Sequence, residues 1–169
     1  MKKEIIGKYK NLIGEIFEVV CIKGGNSRWE LRLKENLTKK KYVHEPDGMV
    51  GGNYLDLNIH DEQEELFGNF SIEATGDGNG TILMKAMLVK IKQFEENNNV
   101  KIDFVKGWLS TADKANGNWE NSISFYMNFV NTLNNNDVGK GKVNVSIHLI
   151  DKDEKYKIGK KISQEEFKI

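Results

Sequence analysis

Thr75-Gly76-Asp77-Gly78-Asn79-Gly80-Thr81 separates two apolar segments of different period. Residues 66–74 before it read as a strand, and residues 82–91 after it read as a helix. The chain is therefore committed to a strand that turns through glycines into a helix N-terminus. At such a turn the first helical amides point outward without intrahelical acceptors, and the helix dipole favours an anion. Glycines allow positive φ and let the backbone approach a ligand with no Cβ in the way. Asp-Gly and Asn-Gly are also ordinary turn dipeptides, so a plain loop ahead of a core helix is the competing reading. Three known loops are excluded. A Walker A loop ends in Gly-Lys-Ser/Thr, whereas Thr81 and Ile82 follow Gly80. The dinucleotide fingerprint lacks its third glycine offset and its acidic partner. An EF-hand opening at Asp77 and Asn79 meets Ile82 where its glycine belongs, and no Glu closes it.

Downstream, residues 101–110 read as a strand. A polar loop with Asp113 and Asn118 follows, then a helical spacing of Trp119, Ile123, Tyr126, Met127, Val130 and Leu133. Taken in order, residues 66–130 resemble the cofactor half of the GCN5-related N-acetyltransferase (GNAT) family. In that family a Gly-x-Gly turn joins a central strand to a long helix, a second strand follows, and a later helix carries a Phe-Tyr pair, here Phe125-Tyr126. The resemblance implies an α+β fold with a GNAT-like, largely antiparallel central sheet flanked by helices. It implies acetyl-coenzyme A as cosubstrate and an amine as acceptor. It assigns the pyrophosphate to Thr75, Gly76, Asp77, Gly78, Asn79, Gly80 and Thr81, and the pantetheine arm to Asn118 or Asn121. Tyr126 then stands at the position whose phenol protonates the leaving thiolate.

Three departures accompany the resemblance. Thr75 stands where the family has Arg or Gln, Asn128-Phe129 stands for Gly-Phe one residue early, and two acceptor-side helices are not evident before residue 60. They leave open a non-catalytic GNAT-like interaction protein, of immunity or inhibitor type, without a working cofactor site. A loop at 35–53 and an N-terminal helix at 3–13, with Ile5, Ile6, Tyr9, Leu12 and Ile13 on one face, are the candidates to complete the substrate side; in the enzyme reading the loop is a lid, and in the interaction reading a protein partner covers it.

Glu73 near the end of the 66–74 strand is the candidate general base, because a carboxylate among apolar groups is raised towards a useful pKa. Asp56 is a second candidate, and a solvated strand carboxylate is the competing reading for each. In residues 54–59, Tyr54, Asp56 and Asn58 face one way and Leu55, Leu57 and Ile59 the other. Residues 16–23, 29–33 and 142–150 also read as strands, with a turn at Gly24-Gly25-Asn26. Residues 61–65 read as a charged turn, and 155–158 as a segment pairing back. The total is about six or seven strands, with the strand–helix–strand segment supplying the parallel pairing.

At 169 residues the expectation is a single domain, 1–169. The 25 basic and 25 acidic residues balance, which argues against general nucleic-acid binding. Cys21, the only cysteine, lies in an apolar run and is expected to be buried; no internal disulfide can form. His44, His60 and His148 lack partners at ligand spacing, so no metal is expected. Charged residues interrupt the N-terminal apolar run, and no stretch suits a membrane span, so the expected location is cytoplasmic.

Overall fold

The computed structural model describes residues 2–35, 45, 47–102, 104–108, 125, 144–150 and 155–163. They form an α+β arrangement of mixed strand pairing with one long helix, and strand predominates. The strands are β1 (Lys3–Lys10), β2 (Ile16–Lys23), β3 (Arg28–Glu35), β4 (Met49–Glu62), β5 (Glu65–Glu73), β6 (Phe104–Trp108), β7 (Asn144–Ile150) and β8 (Lys155–Ser163). The helix α1 (Asn79–Asn98) lies between β5 and β6. The chain clusters into two compact units: Met1–Asn58 with Ser71–Lys90, and Ile59–Phe70 with Ile91–Lys168.

In the first unit, β1, β2, β3 and β4 pair antiparallel in chain order. Period 2 sets the register. Val19 lies opposite Leu33, Cys21 opposite Leu31, Leu31 opposite Leu55 and Trp29 opposite Leu57, and all of these are buried. Ile82, Leu83, Met84, Ala86, Met87 and Leu88 are the buried hydrophobic residues of the first half of α1. The expected N-terminal helix over 3–13 is corrected to the strand β1. Its residues pair with β2 from Lys3–Ile22 to Lys10–Ile16, and the ladder outweighs the helical spacing. Of the proposed helical face only Tyr9 is fully buried, while Ile5, Leu12 and Ile13 are exposed. The Asn11 side chain makes the reversal into β2, its Oδ1 accepting the amides of Ile13 and Glu15 at 3.2 and 2.8 Å. The expected loop at 35–53 ends early, since β4 begins at Met49; residues 36–44 and 46 lie outside the described residues. Among the described residues no helix precedes Asn79.

In the second unit, Gln63 and Glu64 turn β4 into β5, both with positive φ (52° and 66°). That geometry matches the twist of a two-residue hairpin. β5 pairs parallel with β6, from Phe67–Phe104 to Phe70–Gly107, and β5 continues three residues beyond Phe70. The expected parallel strand–helix–strand segment is therefore present. β6 pairs parallel with β7, and β8 returns antiparallel along β7, in line with the pairing-back expected of 155–158. The rings of His60, Phe67 and Phe104 form a ladder, with centroids 5.4 and 5.3 Å apart. The Lys106 ammonium lies 4.3 Å from the Phe67 ring centroid. The helix ends in a left-handed Asn99 (φ 50°), and the Val100 amide reaches back to the Glu95 carbonyl at 3.1 Å.

Candidate functional site

The glycine turn joins β5 to α1, and the helix starts at Asn79, three residues earlier than its apolar pattern suggests. Asn79, Gly80 and Thr81 thus form the first helical turn. Gly76, Asp77 and Gly78 are consecutive left-handed residues, with φ of 86°, 56° and 84°. Two of them are glycines because only glycine holds this region without strain; Asp77 is among the residue types that tolerate it. The Asn79 amide bonds the Gly76 carbonyl at 3.0 Å and the Ile82 amide bonds the Gly78 carbonyl at 3.1 Å, closing the turn onto the helix. The amides of Gly80 and Thr81 belong to the first helical turn, where no preceding helical carbonyl serves them; Gly80 is buried and Thr81 half-buried. Among the described residues a Cβ at Gly76 would meet nothing within 4 Å, so this side of the turn is open space. At Gly78 the corresponding space belongs to Leu12, whose Cγ would lie 2.8 Å away and whose amide donates to the Asp77 carbonyl at 2.9 Å.

A buried polar network underlies the turn. Asn53 Oδ1 accepts the Thr75 amide at 3.1 Å and the Asn79 carboxamide at 3.4 Å. Asn53 Nδ2 donates to Thr75 Oγ1 at 3.0 Å and to the Gly51 carbonyl at 3.2 Å. Asn79 Oδ1 accepts from Asn11 Nδ2 at 3.2 Å, and Asn11 Nδ2 also donates to Glu15 Oε1 at 3.0 Å. All four of Asn11, Glu15, Asn53 and Asn79 are buried. Satisfied in this way they specify one arrangement, and loss of any partner would strand a buried polar group. The chain matches no protein-family model, no curated protein and no solved structure.

Of the expected pyrophosphate ligands, Thr75 to Thr81 are contiguous around the turn. Asn79 is buried, with its side chain committed to the network and its amide to the Gly76 carbonyl. Tyr126, Asn118 and Asn121 lie outside the described residues. Glu73 is exposed at the end of β5, two residues before Thr75, and its carboxylate accepts the Tyr54 hydroxyl, which raises the phenol above its ordinary value. Asp56 lies directly opposite Glu30 on the outward face of β3 and β4. Burial raises its carboxyl above the ordinary range and the Glu30 charge adds to this, while Arg28 and Arg32 oppose it. The alternation expected for residues 54–59 holds, with Leu55, Leu57 and Ile59 buried and Tyr54, Asp56 and Asn58 half-buried.

Cys21 is buried, as expected, and burial pushes its thiol up to about 11, so it is a core residue and no nucleophile. Among the described residues no group of His, Cys, Asp and Glu is arranged to hold a metal, and no helix is long and apolar enough to cross a membrane. Sequence pattern alone does not single out Asn11, Glu15 or Asn53. A signal exists for Asn53: its odd number puts it on the inward face of β4 with Leu55 and Leu57, where an apolar residue is the rule.

Proposed function

We propose that this chain binds acetyl-coenzyme A at the β5–α1 turn and transfers the acetyl group to an amine. The observation that carries the reading is the turn itself: left-handed residues 76–78 running into the α1 N-terminus, with open space over Gly76. The place of the turn at the carboxyl end of β5 supports it, since ligands of strand–helix units gather at the carboxyl ends of the strands. In the proposed reaction the amine nitrogen attacks the thioester carbonyl, the carbon–sulfur bond breaks, and the amine proton leaves. Glu73 is the proposed acceptor of that proton, and Tyr126 the proposed donor to the thiolate.

Amide hydrogen exchange over residues 72–84, with and without acetyl-coenzyme A, tests the proposal. Protection of these amides, together with a rise in melting temperature, is expected. No ligand-dependent protection in this stretch would remove the cofactor reading. Given binding, Tyr126→Phe is expected to lower turnover by about 10²-fold or more with coenzyme A affinity unchanged.

A second reading has its own support. Leu12, Ile13 and Ile16 are 85%, 53% and 54% exposed at the β1–β2 turn, beside the glycine turn. An interaction protein of immunity or inhibitor type would use such an apolar tip on a protein partner, and its β5–α1 turn would be indifferent to coenzyme A.

A further inference from the structure

We infer that Asn53 is a positioning residue for the β5–α1 turn. From the neighbouring strand its carboxamide ties the residue that enters the turn, Thr75, to the residue that starts the helix, Asn79. In doing so it presets the shape in which the turn receives a phosphate group. The inference rests on the coenzyme A reading above. Asn53 is fully buried, on the face of β4 that otherwise carries leucines. An unpaired carboxamide there would be destabilising, yet both of its ends are used. Its oxygen takes the Thr75 amide and the Asn79 carboxamide, and its nitrogen serves Thr75 Oγ1 and the Gly51 carbonyl.

The two anchored residues bracket Gly76, Asp77 and Gly78. A run of left-handed residues that includes a non-glycine persists only where its surroundings over-determine it. Two constraints do so. One is the Leu12 amide on the Asp77 carbonyl at the middle of the run; the other is the Asn53 bracket at both ends. Gly52, with φ of 70°, brings β4 close to the turn, since a Cβ there would lie 3.5 Å from Thr75 Cγ2. Asn53 occupies the Thr75 amide and hydroxyl and the Asn79 carboxamide, so its effect on binding runs through the shape of the turn.

The test uses the full chain and two probes: coenzyme A by calorimetric titration, and pantetheine, which lacks the pyrophosphate, by NMR titration. Asn53→Ala is expected to weaken coenzyme A by about tenfold, the scale of one or two lost hydrogen bonds, and to leave pantetheine unchanged. Thr75→Val removes the hydroxyl that Asn53 bonds while keeping the shape, and is expected to reproduce the loss. Thr75→Ser is expected to restore affinity, and this pair keeps the test open should Asn53→Ala not fold. Unchanged coenzyme A affinity in both Asn53→Ala and Thr75→Val overturns the inference alone. Parallel weakening of both probes makes Asn53 merely structural and also overturns it. A parent protein that binds no coenzyme A overturns the cofactor reading itself, and the positioning role with it.

Discussion

Gly78 in the β5–α1 turn and Gly107 in β6 are both closed to a side chain, for opposite reasons. Gly78 has φ of 84°, so the backbone itself asks for glycine. Its nearest neighbour, the Leu12 side chain, is mostly exposed and free to move aside. Gly107 lies in a regular parallel strand, and there the neighbour asks for glycine. A Cβ would fall 2.6 Å from Cζ of Phe70, which is its own register partner on β5 and is buried. One region is held by conformation and hydrogen bonds, the other by packing. The turn is where the chain stores an unusual backbone, and the ladder is where it stores a tight fit.

The largest expected effect tests the packed region. Gly107→Val drives an isopropyl group into the Phe70 ring, and overpacking of this kind is expected to destabilise by about 3 kcal/mol. Phe70→Leu makes room, so the double variant is expected to be more stable than the sum of the single losses requires. Urea unfolding of the four proteins measures the coupling. Strict additivity would show that Gly107 is not kept small by Phe70.

A smaller effect is expected in the turn, and it should resist the same rescue. Gly78→Ala forces a Cβ onto a left-handed residue, for a loss of about 1–2 kcal/mol. Leu12→Ala clears the nearest side chain but leaves φ unchanged, and the Leu12 backbone nitrogen stays 3.2 Å from where the new Cβ would fall. The double variant is therefore expected to recover little. Full recovery would mean that contact, and not backbone conformation, selects glycine at 78, which would erase the contrast with Gly107.

The same contrast separates what is legible in the sequence from what is not. Packed strands announce themselves. Alternation in 54–59 and the apolar runs of β2, β3 and β7 place those strands, because period 2 and burial act on every residue. The β5–α1–β6 order is equally visible, because the period changes across a glycine run. The first strand reads as a helix, since Ile5, Ile6 and Tyr9 fit a helical face and an edge strand with lysines at 3, 8 and 10 shows little alternation. The polar network escapes for another reason. Asn11, Asn53, Thr75 and Asn79 come together only through pairing of distant segments, and a chain rich in asparagine gives no local hint which of them are buried. The glycine turn is legible as a turn, but not the Leu12 contact that covers one side of it.

The smallest effect compares two carboxyls, Asp56 in the first unit and Glu95 in the second. Burial raises both above the ordinary carboxylate range. Glu30 adds to the shift at Asp56, and at Glu95 the bond from the Ile102 amide, 2.9 Å, opposes it. A carboxyl whose folded pKa exceeds its unfolded value binds its proton more tightly in the native state. Its favourable contribution is therefore present below the unfolded pKa, at about 4, and is lost as pH rises through the folded value. Stability is expected to carry a shallow downward component from about pH 4 upward from these two groups. Asp56→Asn should remove one part of it and also relieve the repulsion by Glu30. Glu95→Gln should remove the other while keeping an oxygen for the Ile102 amide. At Asp56 the Glu30 charge raises the carboxyl while Arg28 and Arg32 lower it, so added salt, which screens all three, separates their balance from the effect of burial. Denaturant midpoints for the three proteins between about pH 4 and pH 7, at low and high salt, measure both parts. An Asp56→Asn profile parallel to that of the parent would show that this carboxyl titrates alike in the folded and unfolded chain.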